Sequence, residues 1–444
     1  MGKAKRVPDG NPTGGPNQAK RDGAESDGPA VSVIDRIAGP YRAVARFLNR
    51  RALARATRAI PRTLHYVGSA LLRGEVGDSL PAPHLSVGLA AQVAMDEALL
   101  AMAMTPRRFP LTRDYARVAR ELAEAESMYL RQGWITAPHS YHRAPPPLSH
   151  SDVSTSRGWA MGHGYDRWDW DSGFAPYPDE PGADRWMAFK TNRTATATVV
   201  RHPGQDPRPW VIAIHGFCME FPFMDFQGLQ MHRLHHELGM NVVLPALPLH
   251  GPRRVTLVSG EPFLSFELMN AVHGLTQAVW DIRRLITLIR QQGATSISLY
   301  GVSLGAYAAS ILAGIDGGID AVVAGIPVSD FPGLFQSHSP HDIRARSIEH
   351  KIMGGPAENV FRVVSPLSFK AKVPWNERYV FAGYGDRMAP PEQAQRLWEH
   401  WEQPRISWYA GGHIGYLWSK QVTDFLVASL GKISTVRSSA MKRG

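Results

Sequence analysis

Ser303 stands in a Gly-x-Ser-x-Gly motif at residues 301–305, between two segments of different character. Residues 296–300 form a short β-branched and apolar run that is typical of a buried strand, and residues 306–313 are small and compatible with a helix. A sharp turn from strand to helix exposes the serine at the sheet edge, near the positive end of the helix dipole. We therefore interpret Ser303 as a nucleophile. The alternative is a glycine-rich turn in which Ser303 only caps the helix.

A serine hydroxyl needs a base that takes its proton before it can attack at neutral pH. His413 is the best candidate, because it follows the last predicted strand in an Ala-Gly-Gly-His sequence, and functional groups collect at the carboxyl ends of parallel strands. His400 lies on a predicted helix and His250 lies in a His-Gly-Pro turn, so both are weaker candidates.

The base in turn needs a carboxylate that orients its ring. Asp386 lies just beyond the predicted strand at 378–382, in a Gly-Tyr-Gly-Asp-Arg sequence. It precedes His413, and the order Ser, Asp, His is the one that the nucleophile motif requires. A turn or helix-capping role is the alternative for Asp386, and Asp330 is the reserve candidate for the acid.

An oxyanion hole requires two backbone N–H groups that face the developing negative charge. The amide of Leu304, next to the nucleophile, is one predicted donor. The other should come from the loop that follows an early strand, where His215 and Gly216 precede Phe217. We predict the Phe217 amide as this donor, with Cys218 as the alternative.

Together these residues resemble the α/β-hydrolase superfamily, over roughly residues 186–432, and are similar in particular to the abhydrolase domain-containing protein 18 family. The matching positions are His215, Gly216, Gly301, Ser303, Gly305, Gly385, Asp386, Gly412 and His413. The resemblance implies an α/β-hydrolase fold with an eight-stranded, mostly parallel sheet, and hydrolysis through an acyl-enzyme. It does not determine the substrate, because esterases, lipases, thioesterases, peptidases and acyltransferases share these parts.

We expect a serine hydrolase that cleaves a small-molecule carboxylic ester, with a lipid ester as one option, and that needs no cofactor and no metal. An acyltransferase that uses the same triad is the first alternative. The second is a membrane-surface interaction protein whose hydrolase domain is vestigial.

The elements that position these residues alternate between strand and helix from about residue 186, which predicts a parallel sheet covered by helices on both faces. The predicted strands are 196–202, 210–215, 241–245, 296–300, 321–326, 378–382 and 405–409. The predicted helices are 226–238, 270–292, 391–401 and 414–430.

The rest of the chain divides by composition. The predicted regions are a disordered tail at 1–30, a helical N-terminal extension at 31–135 with helices at 85–104 and 112–132, an aromatic and Pro-rich loop segment at 136–185, the hydrolase domain at 186–432 with a lid insertion at about 327–375, and a basic tail at 433–444. The lid is long enough for two or three short helices. Its apolar residues either line an acyl pocket or form its own small core; they are Phe331, Leu334, Phe335, Ile343 and Ile348.

Charge and cysteine content limit the other function classes. The chain of 444 residues has a net charge of +10, but its first sixty residues carry twelve Lys/Arg and five Asp/Glu, so most of the excess lies outside the hydrolase domain. The basic amphipathic pattern at 31–60 either contacts a membrane surface or packs on the protein itself. We expect no nucleic-acid binding, because the sequence has no recognised nucleic-acid-binding module beside this positive charge. The single cysteine, Cys218, excludes an intramolecular disulfide and a Cys-based zinc site.

The N-terminal residues and the most apolar early stretch bear on the location of the protein. The first thirty residues lack the apolar core of a secretory signal, and the apolar stretch 87–104 contains Asp96 and Glu97, which argues against a transmembrane helix. We therefore expect a cytoplasmic protein, with membrane association as an option.

Three histidines and three aspartates between residues 142 and 171 have a spacing that fits no standard metal site; they are His142, His150, His163, Asp166, Asp169 and Asp171.

Overall fold

The computed structural model describes most of the chain from residue 59 onward. The described residues are 59–72, 86–103, 110–204, 206–219 and 222–441. The predicted tail at 1–30 and the basic segment up to residue 58 lie outside them.

A nine-stranded sheet forms the centre of the fold, in the order β1-β2-β3-β5-β4-β6-β7-β8-β9. The strands are β1 Ser154–Ala160, β2 His163–Asp171, β3 Thr194–Val200, β4 Pro209–Ile214, β5 Asn241–Pro245, β6 Ser296–Val302, β7 Ala321–Gly325, β8 Arg378–Gly383 and β9 Arg405–Tyr409. From β5 to β9 every neighbouring pair is parallel, whereas the pairs that involve β1, β2 and β3 are antiparallel. The predicted α/β-hydrolase fold is confirmed, with nine strands instead of eight.

The central strands are buried on both faces. Strands β4, β6, β7 and β8 are buried along their whole length. Helices cover both sides, so these strands are nearly continuous apolar runs and do not alternate between apolar and polar residues. Within β4, Val211 packs in one core with Tyr300, and the next residue, Ile212, packs in the opposite core with Leu299.

The segment at 136–185 is more ordered than the predicted loop, because β1 and β2 form an antiparallel hairpin that extends the sheet beyond β3. Along β2, Trp168 and Trp170 are buried and Asp171 is exposed. This period-two alternation is a strand signal. The polar composition masks it, because a hairpin at the sheet edge exposes much of its surface.

Helices cover the sheet and extend from it. They are α1 Ala59–Leu72, α2 Val87–Ala103, α3 Thr112–Arg131, α4 Ala183–Met187, α5 Pro222–Gly228, α6 Leu268–Gln291, α7 Leu304–Ile315, α8 Phe331–His338, α9 His341–Glu349, α10 Pro356–Phe361, α11 Pro391–His400 and α12 Lys420–Met441. In the described residues, no helix is long and apolar enough to cross a membrane.

Two helices differ from the prediction. The segment 226–238 is broken, because Gln230 adopts a φ of 51° after α5 ends, and a short π-helix follows at Arg233–Glu237. The last helix is preceded by a 3₁₀ turn at Gly415–Trp418 and continues to Met441, so the predicted tail at 433–444 is mostly helical.

Helix α3 and the segment predicted as a lid both pack on the part of the chain that contains the central sheet. Arg117 of α3 forms a salt bridge with Glu267, and Glu121 of α3 forms one with Arg185. The predicted lid insertion at 327–375 contains α8, α9 and α10. Phe331 of α8 is buried against Tyr307 and so belongs to the core.

Candidate active site

Ser303 lies at a strained turn between β6 and α7. Its backbone has a φ of 55° and a ψ of −115°, which residues other than glycine adopt rarely. This conformation breaks the path from the strand into the helix and leaves the serine partly exposed at the carboxyl end of β6. Such strain, maintained by the surrounding structure, is typical of a functional residue.

The two glycines of the motif are required by close backbone packing. A Cβ atom at Gly301 would overlap the backbone carbonyl group of Gly305. A Cβ atom at Gly305 would overlap the backbone carbonyl oxygen of Ile214, in the neighbouring strand β4. The glycines therefore let α7 start directly against the sheet, which holds Ser303 in its strained position.

The imidazole of His413 bridges the serine and a carboxylate. Its Nε2 atom lies 3.0 Å from Ser303 Oγ, and its Nδ1 atom lies 2.7 Å from Asp386 Oδ2. A carboxylate only accepts hydrogen bonds, so Nδ1 carries the proton of the neutral ring and Nε2 accepts from the serine hydroxyl. This tautomer is the one that a general base for Ser303 needs.

Asp386 is held in place by its own loop. Its second oxygen, Oδ1, accepts hydrogen bonds from the backbone N–H groups of Met388 at 2.9 Å and Ala389 at 2.8 Å. The reserve candidate, Asp330, instead caps α8 through the Gly333 amide and forms a salt bridge with Arg396. The structure therefore brings Asp386, and not Asp330, to the base.

A second carboxylate, from helix α2, lies beside this pair. Asp96 is fully buried, and its Oδ2 atom accepts hydrogen bonds from the backbone N–H groups of His413 at 2.6 Å and Arg387 at 3.1 Å. It thus links the loop that carries His413 to the loop that carries Asp386. Its other oxygen, Oδ1, has no hydrogen-bond partner among the described residues.

Glycines at the end of β9 allow helix α2 to approach this closely. Gln92 accepts a hydrogen bond from the Gly412 amide at 3.0 Å. Cβ atoms at Gly411 or Gly415 would collide with the Gln92 side chain, and one at Gly412 would lie 2.6 Å from Asp96 Oδ2. The glycines around His413 therefore serve a close helix contact, in addition to the turn that the sequence suggested.

The ionisable groups of the site shift one another's pKa values. Burial works to lower the pKa of His413, but the charge and hydrogen bond of Asp386, followed by the charge of Asp96, outweigh it and hold this pKa above its usual value. Burial and the charge of Asp386 raise the pKa of Asp96 to about 6, against the opposing effects of His413 and the two backbone donors. A base with a raised pKa and a carboxyl group that titrates near neutrality are typical of catalytic sites.

The predicted oxyanion loop lies next to the nucleophile. The Cα of Gly216 is so near Ser303 that a Cβ atom at residue 216 would lie 3.5 Å from the Cβ of Ser303. Phe217 follows directly, and the Leu304 amide is the first of helix α7. His215 is buried and its Nε2 accepts a hydrogen bond from the Leu247 amide at 3.0 Å, so it shapes the loop. Cys218, the alternative donor, has a φ of 65°, which is a left-handed backbone conformation.

The other histidines named from sequence have structural partners. His250 is fully buried and packs against Phe217 with ring centroids 5.8 Å apart, and His400 bonds to the backbone oxygen of Phe369. The ring of His142 contacts the Val363 backbone oxygen at 2.7 Å. Asp166 forms a 2.8 Å salt bridge with Arg201, and Asp169 forms one of 3.0 Å with Arg167. The histidines and aspartates considered between residues 142 and 171 therefore do not come together as one set of metal ligands.

Sequence reasoning missed Asp96 and Gln92. A signal was present, because acidic residues in the middle of an apolar helix are almost never buried without a specific partner. Asp96 and Glu97 served only as an argument against a membrane span. In the structure, Glu97 also reaches the acid loop, through a 3.0 Å salt bridge to Arg387.

Two curated relatives match most of the chain. They are the uncharacterized proteins MT2702 and Rv2627c from two strains of Mycobacterium tuberculosis, each 38% identical over 362 residues, which are 80% of this chain and 85% of the relative. No protein-family model matches the chain.

Solved structures with a similar backbone include two esterases and a peptidase. Acetyl xylan esterase 1 from Thermoanaerobacterium sp. JW/SL YS485 has a TM-score of 0.48 and 11% identity, with 68% of this chain and 92% of that chain covered. Acetyl xylan esterase from Paenibacillus sp. R4 has a TM-score of 0.45 and 14% identity, over 66% and 98% of the two chains. A puromycin-hydrolyzing peptidase from Mycobacterium tuberculosis has a TM-score of 0.38 and 15% identity, over 63% and 38%.

Proposed function

We propose that this chain, which belongs to the same protein family as Rv2627c of Mycobacterium tuberculosis, is a serine hydrolase that cleaves a carboxylic ester. The observation that carries the proposal is the unbroken path from Ser303 Oγ through the His413 ring to the Asp386 carboxylate, with contacts of 3.0 Å and 2.7 Å. The three groups follow the carboxyl ends of the parallel strands β6, β8 and β9, which lie in one half of the sheet with β7 between β6 and β8.

In the acylation step, Ser303 Oγ attacks the ester carbonyl carbon while His413 Nε2 takes the hydroxyl proton. The electron pair of the carbonyl moves to its oxygen, and the amides of Leu304 and Phe217 are the proposed donors to this oxyanion. When the carbonyl re-forms, the bond to the alcohol breaks and the imidazolium donates its proton to the departing oxygen. The acyl group then remains on Ser303.

In the deacylation step, a water molecule donates a proton to His413 Nε2 and its oxygen attacks the acyl carbon. Collapse of the second tetrahedral intermediate releases the carboxylic acid and returns the proton to Ser303. The Asp386 carboxylate orients the ring and stabilises the imidazolium that forms twice in the cycle.

The substrate is proposed as an ester because an alcohol leaves an acyl centre more readily than an amine does. An acyltransferase would differ only in the second step, where an alcohol replaces water. The resemblance to the abhydrolase domain-containing protein 18 family stays a prediction.

The test is hydrolysis of p-nitrophenyl esters, from acetate to long acyl chains, by the wild-type protein and by Ser303→Ala. We expect measurable activity that the substitution abolishes, and a fluorophosphonate probe that labels the wild type but not Ser303→Ala. Ser310→Ala is the matched control, since Ser310 lies in the same helix α7, is buried, and donates only to the Ala306 backbone oxygen at 2.7 Å.

Equal activity of Ser303→Ala and the wild type would exclude Ser303 as the nucleophile. Absence of both hydrolysis and fluorophosphonate labelling in the wild type would refute a competent serine nucleophile. Addition of an alcohol and analysis of the products separates hydrolysis from acyl transfer.

A further inference from the structure

Three histidines from separate parts of the chain meet at the surface, and none of them belongs to the candidate active site. His163 is the first residue of β2, directly after the turn of the β1–β2 hairpin. His232 and His236 lie one helical turn apart in the segment between α5 and β5, so their side chains project from the same side. His163 is half-buried and the other two are exposed, which leaves the cluster accessible from solvent.

The distances between their ring nitrogens suit a shared ligand. One nitrogen from each ring lies within 4.8 Å of the other two. His236 Nε2 and His163 Nδ1 are 3.3 Å apart. Tetrahedral zinc binds histidine nitrogens at about 2.0–2.1 Å, which places two such nitrogens about 3.3 Å apart. Small rotations of exposed rings are enough to bring the third nitrogen to the same separation.

A hydrogen bond between two imidazoles does not account for this arrangement. It explains the contact of His236 with His163, but it gives no reason for the third ring, which lies 4.9 Å from His236 and 6.3 Å from His163 by ring centroids.

Two further histidines nearby serve as an internal comparison. The rings of His202 and His235 are stacked, and each bonds to a backbone carbonyl oxygen, of His235 and Met240 respectively. Their nitrogens are thus used by the fold. In contrast, the cluster of His163, His232 and His236 turns its nitrogens toward one another.

We propose that His163, His232 and His236 bind one Zn²⁺ ion, with the fourth coordination position occupied by water. Three imidazole nitrogens with an open fourth position are a donor set that zinc accepts, whereas magnesium and calcium prefer oxygen ligands.

The ion would join two parts of the fold that are about seventy residues apart in sequence. His163 belongs to the edge hairpin, and its ring packs on Phe226 of α5 at a centroid distance of 6.3 Å. The other two ligands belong to the irregular segment around the π-helix. Zinc would therefore link the hairpin to this segment and stabilise the folded state by an amount that rises with the logarithm of the free zinc concentration above Kd.

The experiment measures binding of ZnCl₂ to tag-free, metal-free full-length protein by isothermal titration calorimetry, together with the melting temperature as a function of zinc concentration. The variants are His232→Ala and His236→Ala, whose side chains are exposed, so that folding is retained and can be checked by circular dichroism. His341→Ala is the matched control, because this histidine is 83% exposed and lies outside the cluster.

We expect one zinc ion per chain, a rise in melting temperature with zinc, and a loss of affinity of about tenfold or more in each cluster variant but not in His341→Ala. No zinc binding by the wild type, or wild-type affinity in both cluster variants, would overturn the proposal. Ser303→Ala should bind zinc like the wild type, so this result is independent of the proposed hydrolase activity.

Discussion

Asp96→Asn is the most informative single change, because it removes one negative charge from the catalytic region and keeps the size of the side chain. The amide oxygen of asparagine still accepts from the backbone N–H groups of His413 and Arg387, which Asp96 receives at 2.6 Å and 3.1 Å. The main difference is therefore that the new side chain neither ionises nor repels the Asp386 carboxylate.

The pKa of Asp96 predicts how stability responds. This pKa is about 6 in the folded protein, compared with 3.8 for an unperturbed aspartate. A shift of about two pH units corresponds to roughly 3 kcal/mol. Because the pKa is raised on folding, the contribution of Asp96 to stability is fully present below about pH 4 and is lost as the pH rises to about 6. Asparagine does not titrate, so it avoids this loss.

The assay is urea denaturation of the wild type and Asp96→Asn at pH 4, 5, 6 and 7. The free energy of unfolding of the variant, relative to the wild type, should increase by about 2 kcal/mol between pH 4 and pH 7, because part of the total loss has already occurred at pH 4, close to the unperturbed value of 3.8. Asp342→Asn is the control, since the Asp342 side chain is 94% exposed, and it should show no such trend. A difference between Asp96→Asn and the wild type that stays constant over this range would refute the reasoning.

The same variant should change the pH dependence of ester hydrolysis. The charge of Asp96 contributes to the raised pKa of His413, and the base works only when its ring is unprotonated. In the wild type, kcat/KM should therefore rise with pH through a pKa above 6.5. In Asp96→Asn this rise should move to lower pH. An unchanged profile would mean that Asp96 only supports the loops mechanically.

Two further substitutions test the geometry of the site. Asp386→Asn should lower kcat by about 10⁴-fold through the wrong imidazole tautomer, measured with the best p-nitrophenyl ester, whereas Asp330→Asn should retain most activity because it faces Arg396; similar losses in both would contradict the acid assignment. Gly412→Ala should cost about 1–3 kcal/mol in urea denaturation and reduce activity, because its methyl group would meet the carboxylate of helix α2. Gly317→Ala, where nothing lies within 4 Å, should be close to neutral, and equal stability of the two alanine variants would refute the packing argument.

Local sequence was sufficient for the α/β-hydrolase fold and for the candidate catalytic residues. The central strands could be predicted because strands buried on both faces are continuous apolar runs. Ser303, Asp386 and His413 could be nominated because each follows such a run, and parallel strands bring their carboxyl ends to one edge. The β1–β2 hairpin escaped prediction because its tryptophans alternate with charged residues in a segment rich in proline and histidine.

The partners of these residues were decided only by the tertiary structure. Asp96 lies 317 residues before His413, and His163 lies 73 residues before His236, so no local pattern connects them. In the sequence, Gly411 and Gly412 are typical of a turn after a strand, but their lack of side chains, and that of Gly415, is needed because helix α2 packs directly on them. Sequence periodicity reports which face of an element is buried, whereas the group that covers this face depends on how distant elements dock. The order of Ser303, Asp386 and His413 was thus readable from the chain, whereas the position of the Asp96 carboxylate beside His413 became visible only when helix α2 was placed against the sheet.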